Sequence, residues 1–123
     1  MMPTPFSLQG TFVYPPDDGQ PDATRDFSQS GNYESKCEKD LKLVGAGTET
    51  VGFGTVPAAK AILIEVAASS LAPVIVNVNG GADPIEISPG GFFAYSNPVP
   101  VAGITALDIV YTMDSRVLVR LLG

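Results

Sequence analysis

The chain lacks histidine and tryptophan altogether, and it has a single cysteine among 123 residues. Most general-base, nucleophile-activating and metal-binding chemistry near neutral pH depends on histidine or on clustered cysteines. The lone thiol, Cys37, cannot close an internal disulfide, and we assign it no role. The composition therefore predicts a non-enzymatic protein without a metal or other cofactor.

Charged residues are also scarce, at 16% of the chain against about 25% in a typical soluble protein. So few charges indicate that a partner covers part of the surface. The net charge of -6 disfavours nucleic acid and anionic membranes as partners, because both bind through lysine and arginine. The sequence shows no signal-peptide pattern and no apolar run near the ~20 residues of a membrane span, so we expect synthesis in the cytosol.

Residues 1–35 differ in composition from the rest, being rich in Pro, Gly, Asp, Ser and Gln. Phe6, Phe12 and Tyr14 are among the few side chains that offer burial, and Pro15-Pro16 ends any strand that contains them. We predict an extended N-terminal arm or a loose hairpin that docks through these aromatics. Disorder is the alternative for so polar a segment.

Residues 36–123 contain short β-branched runs separated by Gly, Pro and Asn, without a helical period. This pattern predicts an all-β domain, an antiparallel β-sandwich or jelly roll of about seven to nine short strands. Asn79-Gly80-Gly81 is a hairpin signal, and Ser88-Pro89-Gly90-Gly91 predicts a second turn. We expect backbone conformation to restrict the sequence at the turn glycines Gly80, Gly81, Gly90 and Gly91.

Two strands near the end of the sequence, ITALDIVYT and RVLVRLL, are apolar on both faces. A half-exposed antiparallel strand alternates between apolar and polar, so the second face needs a cover, either the arm or another subunit. We predict a homo-oligomer, with a trimer favoured. The predicted interface residues are Phe6, Phe12, Tyr14, Leu107, Ile109, Tyr111, Arg116, Leu118 and Arg120.

The remaining candidates for chemistry are weak. The strand carboxylates Glu65, Glu86 and Asp108 could form a glycosidase pair only if the fold brought two of them together. The cluster of Asp17, Asp18 and Asp22 lacks the ligand spacing of a calcium loop, so we predict a solvated turn. A carbohydrate-binding module is the alternative function, and it would use exposed aromatics. The candidates are Tyr14, Tyr33, Phe92, Phe93, Tyr95 and Tyr111.

Several stretches between about residue 40 and residue 123 resemble small virion proteins of tailed bacteriophages. They are KLVGAGTETVGFGTVPAAKAILIEVAA, PVIVNVNGG, IEISPGGFF, NPVPVAGITALDIVYT and RVLVRLLG. The resemblance implies a non-enzymatic sandwich or jelly-roll piece of a capsid or tail, and it transfers nothing residue-specific beyond the turn glycines and the apolar strands. We therefore expect a virion subunit, assembled in the host cytoplasm, that clamps neighbouring proteins such as the major capsid protein or tail components. Capsid decoration is the first choice and a tail-tip or fibre-attachment role the second.

Overall fold

The computed structural model describes residues 4–16, 19, 21–81, 84–97 and 103–123. Within these residues the fold is all-β, as predicted, with ten strands and no helix. None of the described residues therefore belongs to a helix that could cross a membrane. The strands are β1 Thr4–Tyr14, β2 Ala23–Tyr33, β3 Lys36–Leu43, β4 Gly47–Thr50, β5 Ala61–Val66, β6 Val74–Val78, β7 Ile85–Ile87, β8 Phe92–Ser96, β9 Leu107–Tyr111 and β10 Ser115–Leu122.

Strands β3 to β10 form a sandwich of two four-stranded antiparallel sheets. Sheet I has the order β3-β10-β5-β8, and sheet II has the order β4-β9-β6-β7. The strands pair as one long folded hairpin, with β6 next to β7 at its closed end and β5-β8, β4-β9 and β3-β10 as successive pairs. Because successive pairs alternate between the sheets, the sandwich is a jelly roll.

The core lies between the two sheets, and β10 shows how the sequence fills it. Val117, Val119 and Leu121 point inward and are fully buried, whereas Arg116 and Arg120 point outward. This is the period-two alternation of a strand. The buried apolar cluster comprises Leu43, Val51, Val56, Ala59, Ile62, Ile64, Val66, Val74, Val76, Ile87, Ile104, Leu107, Ile109, Val117, Val119 and Leu121.

The turn between β6 and β7 reverses the chain through two left-handed residues. Asn79 has a φ of 52° and Gly80 a φ of 66°, and the amide of Gly81 donates to the carbonyl of Val78 at 2.8 Å. Positive φ at both central residues is the type I′ geometry that matches the twist of paired strands. The Asn-Gly pair is therefore required by the backbone at this point.

Asn79 also fastens the segment before β9. Its Oδ1 accepts hydrogen bonds from the amides of Thr105 and Ala106, at 2.8 and 3.1 Å. Its Nδ2 donates to the carbonyl of Gly103 at 3.2 Å. One turn side chain thus ties two connections at the same end of the sandwich.

The chain crosses from sheet II to sheet I at Pro89-Gly90. The amide of Gly91 donates to the carbonyl of Ser88 at 2.8 Å, and Gly90 has a φ of 84°. Proline followed by a left-handed glycine is the signature of a type II turn. Of the two turn glycines Gly90 and Gly91, Gly90 is therefore the one whose left-handed backbone conformation resists substitution.

The N-terminal segment is a hairpin with its own two-stranded sheet. β1 and β2 pair along their whole length, from Thr4 with Tyr33 to Tyr14 with Ala23. At its base the amides of Glu34 and Ser35 donate to the carbonyl of Gly123, at 2.8 and 3.1 Å. These bonds anchor the hairpin beside the end of β10.

Candidate docking surface

The hairpin is amphipathic, because its register places aromatic residues on one side. Pro5, Ser7, Gln9, Thr11 and Val13 alternate with the aromatic positions of β1 and form a largely polar face with Thr24, Asp26, Ser28, Ser30 and Asn32. The opposite side, which we call the apolar face, is defined by Phe6, Leu8, Gly10, Phe12, Tyr14, Phe27 and Tyr33, and it also carries Arg25 across from Phe12 and Gln29 across from Leu8. A two-stranded hairpin is marginal in water by itself, so its apolar face needs a surface to pack on.

Gly10 shapes the middle of the apolar face. It lies directly across from Phe27, whose ring occupies the space that a Cβ at position 10 would need. An aromatic ring that covers a cross-strand glycine compensates for the missing side chain. Closer to the base, the rings of Phe6 and Tyr33 are 6.5 Å apart.

The base of the apolar face lies over the outer side of sheet I. Phe6, Leu8 and Tyr33 border a groove of about 310 Å³ whose other wall includes Leu63 and Leu122. All three hairpin residues are half-buried. Part of the second apolar face of β10, for which the sequence predicts a cover, thus lies beneath the chain's own hairpin.

The distal half of the apolar face borders a larger and more open groove of about 670 Å³. Phe12 and Phe27 line one side, and Phe92 at the start of β8 lines the other. These three side chains are 61%, 48% and 67% exposed. Tyr14 follows at 44%, with its ring 5.5 Å from that of Phe12. These side chains form a solvent-exposed aromatic cluster that the described residues do not cover.

Two ion pairs lie on the outer side of sheet I, on either side of Leu118. Arg116 donates from Nε and Nη2 to the two carboxylate oxygens of Asp40, at 3.0 and 2.7 Å. Arg120 donates to Glu65 at 2.9 Å. The hydrogen bonds from Arg116 lower the pKa of Asp40, and the same contact raises the pKa of Arg116. The arginines hold their partners across neighbouring strands of the sheet.

Some of the predicted interface residues lie on the surface and others lie in the core. Phe6, Phe12 and Tyr14 belong to the apolar face, and the outward side of β10 carries Arg116, Leu118 and Arg120. Leu107 and Ile109 are fully buried between the sheets, so they form the subunit's own core and offer no surface to a partner. The ring of Tyr111 packs over Gly47, its cross-strand neighbour, and against the core.

Sequence reasoning missed Phe27 as a member of this surface and listed Phe92 only as a possible sugar contact. β2 reads ATRDFSQSGNY, in which Phe27 is an isolated apolar residue without a periodic pattern. Only its pairing with Gly10 places it beside Phe12. The signal available in the sequence was the mid-strand glycine, which commonly marks a close approach in a sheet.

The candidate carboxylates do not come together as a catalytic pair. Glu65 lies on the outer side of sheet I and is bound to Arg120. Glu86 on β7 and Asp108 on β9 are separated by β6, which pairs with both strands, and Asp108 accepts a hydrogen bond from Thr50 at 2.8 Å. The described residues contain no group of three His, Cys, Asp or Glu side chains arranged around a common point. Asp17 and Asp18 lie outside the described residues.

The aromatics considered for sugar binding are spread over the molecule. Tyr14 and Phe92 are exposed, and Tyr33 is half-buried at the hairpin base. Phe93, Tyr95 and Tyr111 pack against the core and are half-buried, so only part of each ring is exposed. The exposed rings nearest one another are those around the larger groove.

Comparisons with protein-family models, with characterised proteins and with solved structures return no match. The jelly-roll assignment therefore rests on the strand order itself.

Proposed function

We propose that the chain is a non-enzymatic structural subunit of a tailed-phage virion, which docks on neighbouring proteins through the apolar face of its hairpin. The observation that carries this proposal is the exposed aromatic cluster of Phe12, Tyr14 and Phe27 with Phe92 across the groove. Apolar patches of this kind on an otherwise folded domain mark interaction sites. The resemblance of residues 40–123 to small virion proteins supplies the setting.

The separation between a packed sandwich and an aromatic hairpin supports the same function. The jelly roll has a buried apolar core between its two sheets, and the hairpin carries an aromatic surface beside it. Burial of apolar surface stabilises contacts by about 25 cal/mol per Å², and many weak contacts on one particle add through multivalency. Capsid decoration is the preferred location, followed by the tail tip or fibre attachment.

The test uses virions purified from the natural source of this gene. Mass spectrometry of density-banded virions should find the chain as a stoichiometric component. Virions that lack it would contradict the proposal directly.

Two variants locate the contact on the hairpin. Phe12→Ser changes the apolar face, whereas Val13→Ser changes the opposite face at the next residue, and both side chains are more than half exposed. We expect Phe12→Ser to fold normally but to be lost from particles, with Val13→Ser retained. Equal incorporation of both variants would show that docking does not use the apolar face.

Carbohydrate binding remains the alternative, and the larger groove is the place that would serve it. A glycan array probed with the purified chain separates the two functions. The sugar-binding function would be favoured if the chain binds a glycan, if Phe12→Ser and Phe92→Ser abolish that binding, and if the chain is absent from virions.

A further inference from the structure

The four edge strands of the sandwich differ in how well they are protected. β3, at one edge of sheet I, carries five charged residues in the sequence KCEKDLKL. β4 and β7, at the edges of sheet II, are only four and three residues long, and each contains a glutamate. Charges and shortness both discourage an edge from accepting a further strand. β8, with the sequence FFAYS, is five residues long and has no charge at all.

Two hydrogen bonds establish which backbone groups of β8 point away from the sheet. The amide of Asn97 donates to the carbonyl of Lys60 at 2.7 Å, and the amide of Val66 donates to the carbonyl of Gly91 at 3.0 Å. Because residues alternate along an antiparallel edge strand, the odd-numbered residues between these bonds face β5. The N–H and C=O groups of Phe92, Ala94 and Ser96 therefore face outward.

We infer that β8 pairs with β8 of a second copy of this chain, antiparallel and centred on Ala94. In that register Ala94 lies opposite Ala94 of the second copy, and Phe92 lies opposite Ser96 of the second copy. Each of these residue pairs exchanges two hydrogen bonds, so every outward backbone group of the strand finds a partner. The spacing is self-complementary and the strand carries no charge, so we take a second copy as the occupant.

The side chains fit the same register. Phe93 falls opposite Tyr95 of the second copy at a closely spaced position, where aromatic pairs stabilise antiparallel strands. On the outer side, Phe92 would lose much of the surface that is now 67% exposed. No charged side chain of β8 would be buried, because the strand has none.

The hairpin brings its exposed rings toward this edge. Near its base it shares a groove with Lys36 and Glu38 on β3 and with Tyr95 on β8, and its distal part shares one with Phe92 and Ala94 on β8. The exposed rings of its distal part therefore border the β8 edge of sheet I. A subunit added at β8 extends the surface beneath the exposed rings, so one partner can cover both features.

Antiparallel pairing of a strand with itself generates a two-fold axis. The contact gives a dimer, whereas the trimer predicted from the sequence needs a different, head-to-tail contact. The inference does not depend on the virion assignment, because the purified chain alone tests it.

Light scattering on the purified chain should give twice the 12.8 kDa chain mass. Phe92→Lys places a charge on the exposed edge and should weaken the dimer by about tenfold or more. Val44→Lys is the matched control, since Val44 is 77% exposed and lies beyond the opposite edge strand. Circular dichroism and thermal melting should show that both variants stay folded.

A cross-link tests the register itself. Directly opposed residues at such positions have Cα atoms about 5.5 Å apart, which is within the range of a disulfide. Ala94→Cys in a Cys37→Ser background should therefore form a covalent dimer on mild oxidation, whereas Val44→Cys in the same background should not. A monomer at every concentration, a trimeric mass, or a dimer that persists in Phe92→Lys without the Ala94 cross-link would each overturn the inference.

Discussion

Replacing Asn79 should lower the free energy of unfolding by the contribution of its side-chain hydrogen bonds, which hold one end of the jelly roll. Asn79→Gly keeps the left-handed backbone but removes the side-chain bonds to Gly103, Thr105 and Ala106. Each such bond is worth about 0.5 to 1.5 kcal/mol net, and the site is exposed, so we expect a loss of about 2 kcal/mol. For a chain of this size that lowers the melting temperature by roughly 6 to 10 °C.

Two further substitutions at Asn79 separate the causes. Asn79→Asp keeps the accepting oxygen and loses only the bond to Gly103, so it should cost about 1 kcal/mol. Asn79→Ala loses the side-chain bonds and also places a Cβ residue at a φ of 52°, which adds about 1 kcal/mol to the loss seen with glycine.

Urea unfolding followed by circular dichroism measures the series, with equal m-values as the check that only stability has changed. From most to least stable, the expected order of residues at position 79 is Asn, Asp, Gly, Ala. A glycine variant within about 0.5 kcal/mol of the natural protein would refute the role of the hydrogen bonds. An alanine variant as stable as the glycine variant would refute the left-handed conformation.

Other expectations concern the turns and an ion pair. Valine at Gly80 or Gly90, which have φ of 66° and 84°, should lower the melting temperature by several degrees, and silent variants would mean that these turns are loose. Because Arg116 lowers the pKa of Asp40, the stabilisation that this pair gives is present above the ordinary carboxyl pKa of about 4 and is lost as the pH falls through the lower folded value. The small melting-temperature difference between the natural protein and Asp40→Asn should therefore be steady from pH 7 to about pH 5 and vanish in stronger acid, and a difference that grew with acidity would contradict this sign.

The sandwich could be predicted from the sequence wherever a strand alternates or a turn needs glycine. β10 and the Asn79-Gly80 turn are examples, since each carries its signal within a few adjacent residues. The run TETVGFG shows the limit, because it reads as one strand yet β4 ends at Thr50. Val51 remains buried and its amide still donates to the carbonyl of Leu107 at 2.9 Å, but no regular strand continues toward Gly54, which has a φ of 58°.

The candidate docking surface was harder to predict, because it depends on pairing between distant positions. Phe6, Phe12 and Tyr14 stand out within β1, but nothing local places Phe27 against Gly10. The burial of Leu107 and Ile109 likewise depends on which side of β9 faces sheet I. An apolar strand read alone does not show which of its faces meets the core.

The position of β10 in sheet I has a consequence for how the chain folds. β10 lies between β3 and β5, which pair with it and not with each other, so Lys36–Leu43 finds its sheet neighbour only after Ser115–Leu122 has been synthesised. Such distant pairings fold slowly, in milliseconds to seconds, whereas a local hairpin such as Thr4–Tyr33 forms within microseconds. On the ribosome the aromatic hairpin therefore emerges well before the jelly roll, and it stays marginally stable until sheet I has formed beneath it.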